Sequence, residues 1–254
     1  RSNAATYIGA YDDIRRLYFS LPLAKLNDFS HSYFSFNVNG GRCEECQGEG
    51  TVKIEMQFMA DVTMVCESCN GKRFKEEVLE VKFEDVNIFD LLEMTIDEAV
   101  DFFSKYSNKI KNLEKTINNI INRLNILSKV GLGYIKLGQS TSTLSGGENQ
   151  RLKLANFMSN DNKNKKVLFI FDEPTTGLHF DDVNRLLNAF NELANKGHSI
   201  IFIEHNLDMI KNADWVIDLG PEGGEKGGYI VFEGTPDELV NVPNSYTGQY
   251  LLKS

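Results

Sequence analysis

No apolar run in the 254 residues approaches the ~20 that a membrane helix needs, and stretches such as Val167 to Phe171 stop after a few residues. A bilayer-spanning protein is thereby excluded. Positive charge is in deficit: 27 Lys and Arg face 36 Asp and Glu, a net charge of -9. The chain as a whole repels phosphate, so contact with nucleic acid needs a local basic patch. Internal repeats and low-complexity tracts are missing, and 41% hydrophobic with 25% charged residues is too apolar a balance for a disordered chain. The phosphate-cradling loop G-x-x-x-x-G-K-[ST] is also absent, because the only Gly-Lys pair is Gly71-Lys72 and Arg73 follows it. Neither an initiating methionine nor a signal-peptide pattern opens the chain. Ser2-Asn3-Ala4 matches a common remnant of tag cleavage, and a fragment of a longer protein is one expectation.

Cysteine is scarce but placed in pairs. Cys43-Glu44-Glu45-Cys46 and Cys66-Glu67-Ser68-Cys69 are two C-x-x-C knuckles, with nineteen residues between Cys46 and Cys66. Four thiolates can close a tetrahedral zinc shell, and two-residue spacers let each pair grip one ion from a tight turn. Buried structural thiols or a redox pair are the alternatives. Four closed ligands leave no open position, so Zn²⁺ here is expected to be structural. The pairing also fits a reducing, cytoplasmic setting better than disulfides do. Gly48 and Gly71 each follow a pair's second cysteine by two positions, where a turn often needs positive φ. Between the pairs, residues 52–56 and 62–65 suit two antiparallel strands joined near Ala60-Asp61. Read through Gly50, the first pair also resembles the cysteine-rich repeats of J-domain chaperones.

Elsewhere Ile14, Leu17, Tyr18 and Leu21 recur at helical spacing over Tyr11 to Leu21. Thr95 with Glu98 forms a capping box ahead of Ala99, Val100, Phe102 and Phe103, and a longer helix is expected through Ile110, Leu113, Ile117, Ile121, Leu124 and Val130, ending at Gly131 and Gly133. From Ser140 the pattern becomes α/β. Strands are expected at Val167 to Phe171, Ser199 to Ile203 and Trp215 to Leu219, a helix from Asp181 to Lys196, a hairpin at Gly228 to Phe232 and a polar loop from Asn160 to Lys166. Such alternation predicts a mainly parallel sheet covered by helices.

Three features of this half bear on chemistry. The run Leu168 to Phe171 ends in Asp172-Glu173-Pro174, which on a parallel strand sets two carboxylates at the ligand-binding edge of the sheet. Upstream, Leu144-Ser145-Gly146-Gly147-Glu148-Asn149-Gln150-Arg151 places paired glycines before a helix, exposing amides and a hydroxyl to an anion. Downstream, a strand from Ile200 to Glu204 ends at His205. Taken singly, each has a bland reading as a helix cap, a turn or a structural histidine.

Their order resembles that of ABC-type ATPases: signature loop, Walker B strand with its glutamate, switch histidine. The resemblance implies that Asp172 holds Mg²⁺ through water, Glu173 polarises the attacking water and His205 senses the γ-phosphate of ATP. It also implies that Leu144 to Glu148 contact a nucleotide held by another half. His179 stands where transporters place a D-loop aspartate, and no Q-loop glutamine is identified.

More narrowly, Gly40-Gly41-Arg42-Cys43-Glu44-Glu45-Cys46-Gln47-Gly48, Gly71-Lys72-Arg73-Phe74, Thr175-Thr176-Gly177-Leu178-His179-Phe180, Ile203-Glu204-His205-Asn206-Leu207-Asp208 and Asp218-Leu219-Gly220-Pro221-Glu222-Gly223-Gly224 are similar to the UvrA family of bacterial excision repair. Arg1-Ser2-Asn3 also looks like that family's own continuation. The resemblance implies an α/β, P-loop NTPase-like ABC ATPase core with a helical signature subdomain and a four-cysteine zinc-hairpin insert, taken from the carboxy-terminal half beyond the P-loop. The implied division is 1–39 as an amino-terminal helix and linker, 40–83 as the zinc hairpin, 84–138 as the helical signature subdomain and 139–254 as the ATPase α/β subdomain. Implied partners are lesion-bearing double-stranded DNA, UvrB, the other ATPase half of the parent chain and a second copy of that parent. Lys53, Lys72, Arg73 and Lys75 on the hairpin and its flank are the implied DNA contacts. A UvrA-like paralogue in drug resistance and a zinc-dependent chaperone-like module are the alternatives. Without a P-loop, the fragment alone is expected neither to bind ATP tightly nor to hydrolyse it.

Overall fold

The computed structural model describes residues 2–54, 56, 62–107, 109, 110, 112–160, 165–220, 222 and 227–253. The expected turn near Ala60-Asp61, the middle of the Asn160 to Lys166 loop and Pro221, Gly223 and Gly224 lie outside them. The chain divides into two compact units, Arg1–Ser128 with Leu132–Ser145 and Leu152–Asp161, and Lys129–Gly131 with Gly146–Arg151 and Asn162–Ser254. Among the described residues no helix is long and apolar enough to cross a membrane.

In the first unit the apolar spacing read at Tyr11 to Leu21 forms the helix Ala10–Ser20, which buries Tyr11, Ile14, Leu17 and Tyr18 on one face. Two tyrosines in a core need partners for their hydroxyls. Tyr11 donates to the Phe34 carbonyl at 2.8 Å and Tyr18 to the Val86 carbonyl at 2.9 Å. Burial raises both phenols far above their usual range. Asp13, buried on the same helix, meets Arg16 at 3.3 Å and Arg123 at 3.4 Å.

Strands β1 (Thr51–Ile54) and β2 (Val62–Val65) pair antiparallel, Thr51 opposite Val65 and Ile54 opposite Val62. β3 (Lys82–Phe83) and β4 (Val86–Asn87) make a second hairpin, whose two loop residues Glu84 and Asp85 both have positive φ as a primed turn requires. Asn87 caps the helix Ile88–Glu93, and the Thr95–Glu98 capping box opens Ile96–Ser104. The Thr95 amide, bonded to Glu98, holds that carboxyl below its usual range. The longer helix starts later than the apolar spacing predicts: it runs Glu114–Lys129, buries Ile117, Ile120, Leu124 and Leu127, and leaves Ile110 and Leu113 ahead of it.

The second unit is built on β5 (Leu168–Asp172) and β6 (Ser199–Ile203), parallel and in register from Leu168 opposite Ser199 to Asp172 opposite Ile203. The helix Phe180–Asn195 connects them and packs on one face, with Phe190 4.9 Å from Phe171 between ring centroids. Leu168, Ile170, Ile201 and Ile203 on the other face are exposed.

Two expectations need correction. Gly228 to Phe232 is not a hairpin of its own: the segment belongs to β8 (Tyr229–Gly234), which pairs antiparallel with β7 (Val216–Gly220). Nor is there one mainly parallel sheet: the described strands of this unit form two separate two-stranded sheets, one parallel and one antiparallel. Alternating apolar residues mark an extended segment, whereas its partner is set by contacts distant in sequence. The end of the chain is fastened to β7 by Asp218, whose carboxylate accepts from Ser245 at 2.6 Å and Thr247 at 2.9 Å.

Candidate functional site

The two knuckles fold alike. After Cys46, Gln47 and Gly48 take φ of 51° and 84°, and after Cys69, Asn70 and Gly71 take 49° and 80°. Left-handed residues turn each chain back so that both thiols of a pair point one way. Gly48 has a second reason to be glycine, because a Cβ there would stand 2.1 Å from the Phe36 carbonyl oxygen.

All four Sγ atoms lie within 4.8 Å of one another. Cys43 to Cys66 is 3.9 Å and Cys46 to Cys69 is 3.7 Å. These distances exclude disulfides, whose sulfurs lie about 2 Å apart. They fit the edge of a tetrahedron around a zinc ion, about 3.8 Å for Zn–S bonds near 2.3 Å. Gly50 donates its amide to Cys46 Sγ at 3.2 Å, a bond that favours thiolate. Burial pushes the Cys69 thiol up to about 12. Burial opposes ionisation of Cys43 too, but hydrogen bonds, led by the Cys46 amide, outweigh it and hold that thiol at about 7. The cysteines form their own small core with Val52 packed against it. The donor set thus fits a metal ion and has little other packing to stabilise it.

The neck of the knuckles is stitched by Cys43 N–H to the Arg73 carbonyl and Lys75 N–H to the Gly41 carbonyl, both 2.8 Å, around buried Phe74. Of the four basic residues singled out here, Lys53 is exposed on β1 and Lys72 is half-buried beside the second knuckle. Arg73 instead donates to the Gly138 carbonyl at 2.9 Å and lies over the Phe36 ring. Lys75 pairs with Glu44 at 2.6 Å, and this contact raises the lysine and lowers the glutamate.

In the second unit, Asp172 ends β5 with its side chain exposed, and Glu173 follows at φ 45°. A left-handed, non-glycine residue costs energy and persists only where its surroundings hold it. Four ties do so. Glu173 N–H donates to the Ile203 carbonyl at 2.9 Å, and Thr176 N–H to the Glu173 carbonyl at 3.1 Å. Gln150 closes both backbone groups of Asp172 with its side-chain amide, at 3.1 and 3.2 Å, like one residue of a neighbouring strand. Fully buried Arg151 donates to the Pro174 carbonyl at 2.6 Å and the Thr176 carbonyl at 3.4 Å.

The helix Gly146–Ser159 begins at the paired glycines. Gly147 stands against the same loop, its Cβ position 3.5 Å from the Glu173 and Thr176 carbonyl oxygens. Leu144 is buried and Ser145 exposed just ahead of that helix, with Glu148 in its first turn. His205, 81% exposed at the end of β6, brings Nδ1 to 3.9 Å from Glu173 Oε1. Between the two loops lies Glu204, bonded to Thr175 on one side and to the His205 turn on the other. His179 is the N-cap residue of the helix Phe180–Asn195. Gln150, Arg151, Thr175 and Glu204 belong to the motif stretches, but residue type alone gave them no role there. A charged side chain within the signature stretch, and an acid beside the histidine, were the available signals.

The arrangement offers exposed carboxylates and an imidazole at the end of a parallel strand pair, where phosphate chemistry is commonly sited. A model of the ABC transporter family matches residues 43–176, more than half of the chain. UvrABC system protein A of Aquifex aeolicus is 53% identical over 253 residues, covering 100% of this chain and 26% of that protein. Its counterpart in Rhizobium meliloti is 51% identical over 251 residues, 99% of this chain and 25% of that protein. The crystal structure of UvrA2 from Deinococcus radiodurans superposes with a TM-score of 0.79 at 43% identity, covering 99% of this chain and 29% of that one. The chain thus spans about a quarter of the length of the curated relatives it matches. With that identity across its whole length and the family match through the knuckles and the acidic strand end, the chain belongs to the ABC family and, within it, to the UvrA proteins.

Proposed function

We propose that this chain is the carboxy-terminal part of a UvrA-type ABC ATPase that recognises damaged DNA in nucleotide excision repair and loads UvrB, with the other ATPase half of the same parent and a second parent copy as partners. The observation that carries the reading is the Glu173–His205 pair, 3.9 Å apart, with the glutamate held left-handed beside Asp172 at the strand end. In this reading Glu173 orients and accepts the proton of the attacking water, and His205 donates toward charge developing on the terminal phosphate. Asp172 would hold Mg²⁺, which when bound with ATP neutralises phosphate charge. Ser145, the Gly146 and Gly147 amides and the Leu144 to Glu148 stretch would meet a nucleotide held by another half.

The four thiols would hold zinc. A closed shell of four thiolates has no open position, so the ion braces the β1–β2 hairpin and takes no part in catalysis. The division into 1–39, 40–83, 84–138 and 139–254 follows from this reading. DNA would meet the hairpin and its flank through Lys53 and Lys72, with Arg73 and Lys75 shaping the surface through Gly138 and Glu44. Contacts of this kind go to phosphate and position the duplex, while lesion preference comes from the lower cost of bending damaged DNA.

The test uses the full-length protein and duplexes with and without a bulky lesion. The lesion-bearing duplex should bind more tightly, and the double variant Lys53→Ala, Lys72→Ala should lower affinity with a salt slope shallower by about 2. Equal binding of damaged and intact duplex by the unaltered protein overturns the repair reading. A double variant with unchanged affinity, discrimination and salt slope removes the hairpin from the DNA path.

A further inference from the structure

We propose that Glu204 is a positioning residue for ATP hydrolysis, holding the loop that carries Glu173 and the turn that carries His205 in register through one carboxylate; the role rests on the ATPase reading above. The two oxygens divide the work. Oε1 accepts from the Thr175 backbone N–H at 2.8 Å and from the Thr175 hydroxyl. Oε2 accepts from the backbone N–H groups of His205 at 3.0 Å and Asn206 at 3.2 Å. Thr175 is buried two residues beyond Glu173, and Asn206 caps the helix Leu207–Lys211. One side chain therefore fastens both loops to firm ground.

All four groups that meet the carboxylate are donors. An ionised carboxylate accepts on both oxygens and satisfies them, whereas a glutamine would turn an NH₂ toward one pair of donors. The side chains of Glu173 and His205 are 55% and 81% exposed, so packing does not fix their separation. Their backbones must. Glu173 is also left-handed, a conformation that relaxes when its restraints are loosened. Glu204 acts through Thr175 and His205, and has no place of its own among the reacting groups.

Steady-state ATP hydrolysis by the full-length protein supplies the test. Glu204→Gln is expected to lower kcat about tenfold or more with KM for ATP changed less than about twofold, since the tie orients reacting groups without binding nucleotide. Thr175→Val, which removes the hydroxyl donor and keeps the shape and the amide, should lower kcat by a smaller factor, and Thr175→Ser should restore it. Where circular dichroism shows Glu204→Gln unfolded, the Thr175 pair carries the test. Wild-type kcat in either folded variant, or a loss expressed as raised KM, overturns the role. Glu173→Gln is run alongside. No ATP hydrolysis by the unaltered protein overturns the ATPase reading itself, and normal hydrolysis in Glu173→Gln removes only Glu173 from the base role, whereas loss there with full activity in folded Glu204→Gln overturns only the role of Glu204.

Discussion

Replacing Glu173 by glutamine in the full-length protein is expected to slow ATP hydrolysis by about 10²- to 10⁴-fold while ATP still binds, the range that loss of a general base commonly produces. Glutamine keeps the length of the side chain and one acceptor oxygen, so the backbone ties at Ile203, Thr176 and Gln150 remain available. What disappears is the charge that can take up a proton, together with the anionic partner 3.9 Å from His205. The effect should fall on the chemical step, and a single-turnover assay with nucleotide binding measured separately distinguishes the two. Hydrolysis within about threefold of the unaltered protein would remove Glu173 from the base role and leave the strained loop without its functional explanation.

Cys69→Ser should abolish tight metal binding and unravel the knuckles. Among the described residues Val52 is the partly buried hydrophobic neighbour packed against the four buried cysteines, so this small core has little apolar contact and the ion it fits would supply much of its stability. A serine cannot supply the fourth thiolate at 3.7 Å from Cys46. Elemental analysis should fall from one zinc per chain to a small fraction, and limited proteolysis should cut within residues 43–74. The helices Ala10–Ser20 and Glu114–Lys129 should stay protected, because their cores are separate from the cysteine cluster. A variant that retains stoichiometric zinc, or one that loses all helical signal, contradicts a local structural site. The first outcome would mean three ligands suffice; the second, that the knuckles support the whole first unit.

The elements legible in the residues themselves share a local cause. A C-x-x-C knuckle depends on a turn of a few residues, and the left-handed pairs Gln47-Gly48 and Asn70-Gly71 complete each turn within the same short stretch. The capping box at Thr95 and the apolar stripe of Ala10–Ser20 are likewise settled by neighbours one to four residues away. An apolar strand running into paired acids has the same character, since the run Leu168 to Phe171 gives way to Asp172 and Glu173 in consecutive positions.

What escaped the sequence depends on partners far along the chain. Nothing in the residues from Gly228 to Phe232 says that they pair with Val216–Gly220, because an alternating pattern fits any edge. Arg73 has the charge of a DNA contact and the geometry of a brace on Gly138, sixty-five positions away. Gln150, Arg151 and Glu204 lie within motif stretches, but their residue types name no partner. Their hydrogen bonds reach across twenty-two, twenty-three and twenty-nine positions to Asp172, Pro174 and Thr175. The residue types suited to metal and phosphate chemistry, and their order, were determined by the sequence alone. Which polar side chains fasten the loop after β5 and the turn at His205 was decided only by the tertiary structure, because a buried donor or acceptor takes whichever partner the fold brings within about 3 Å.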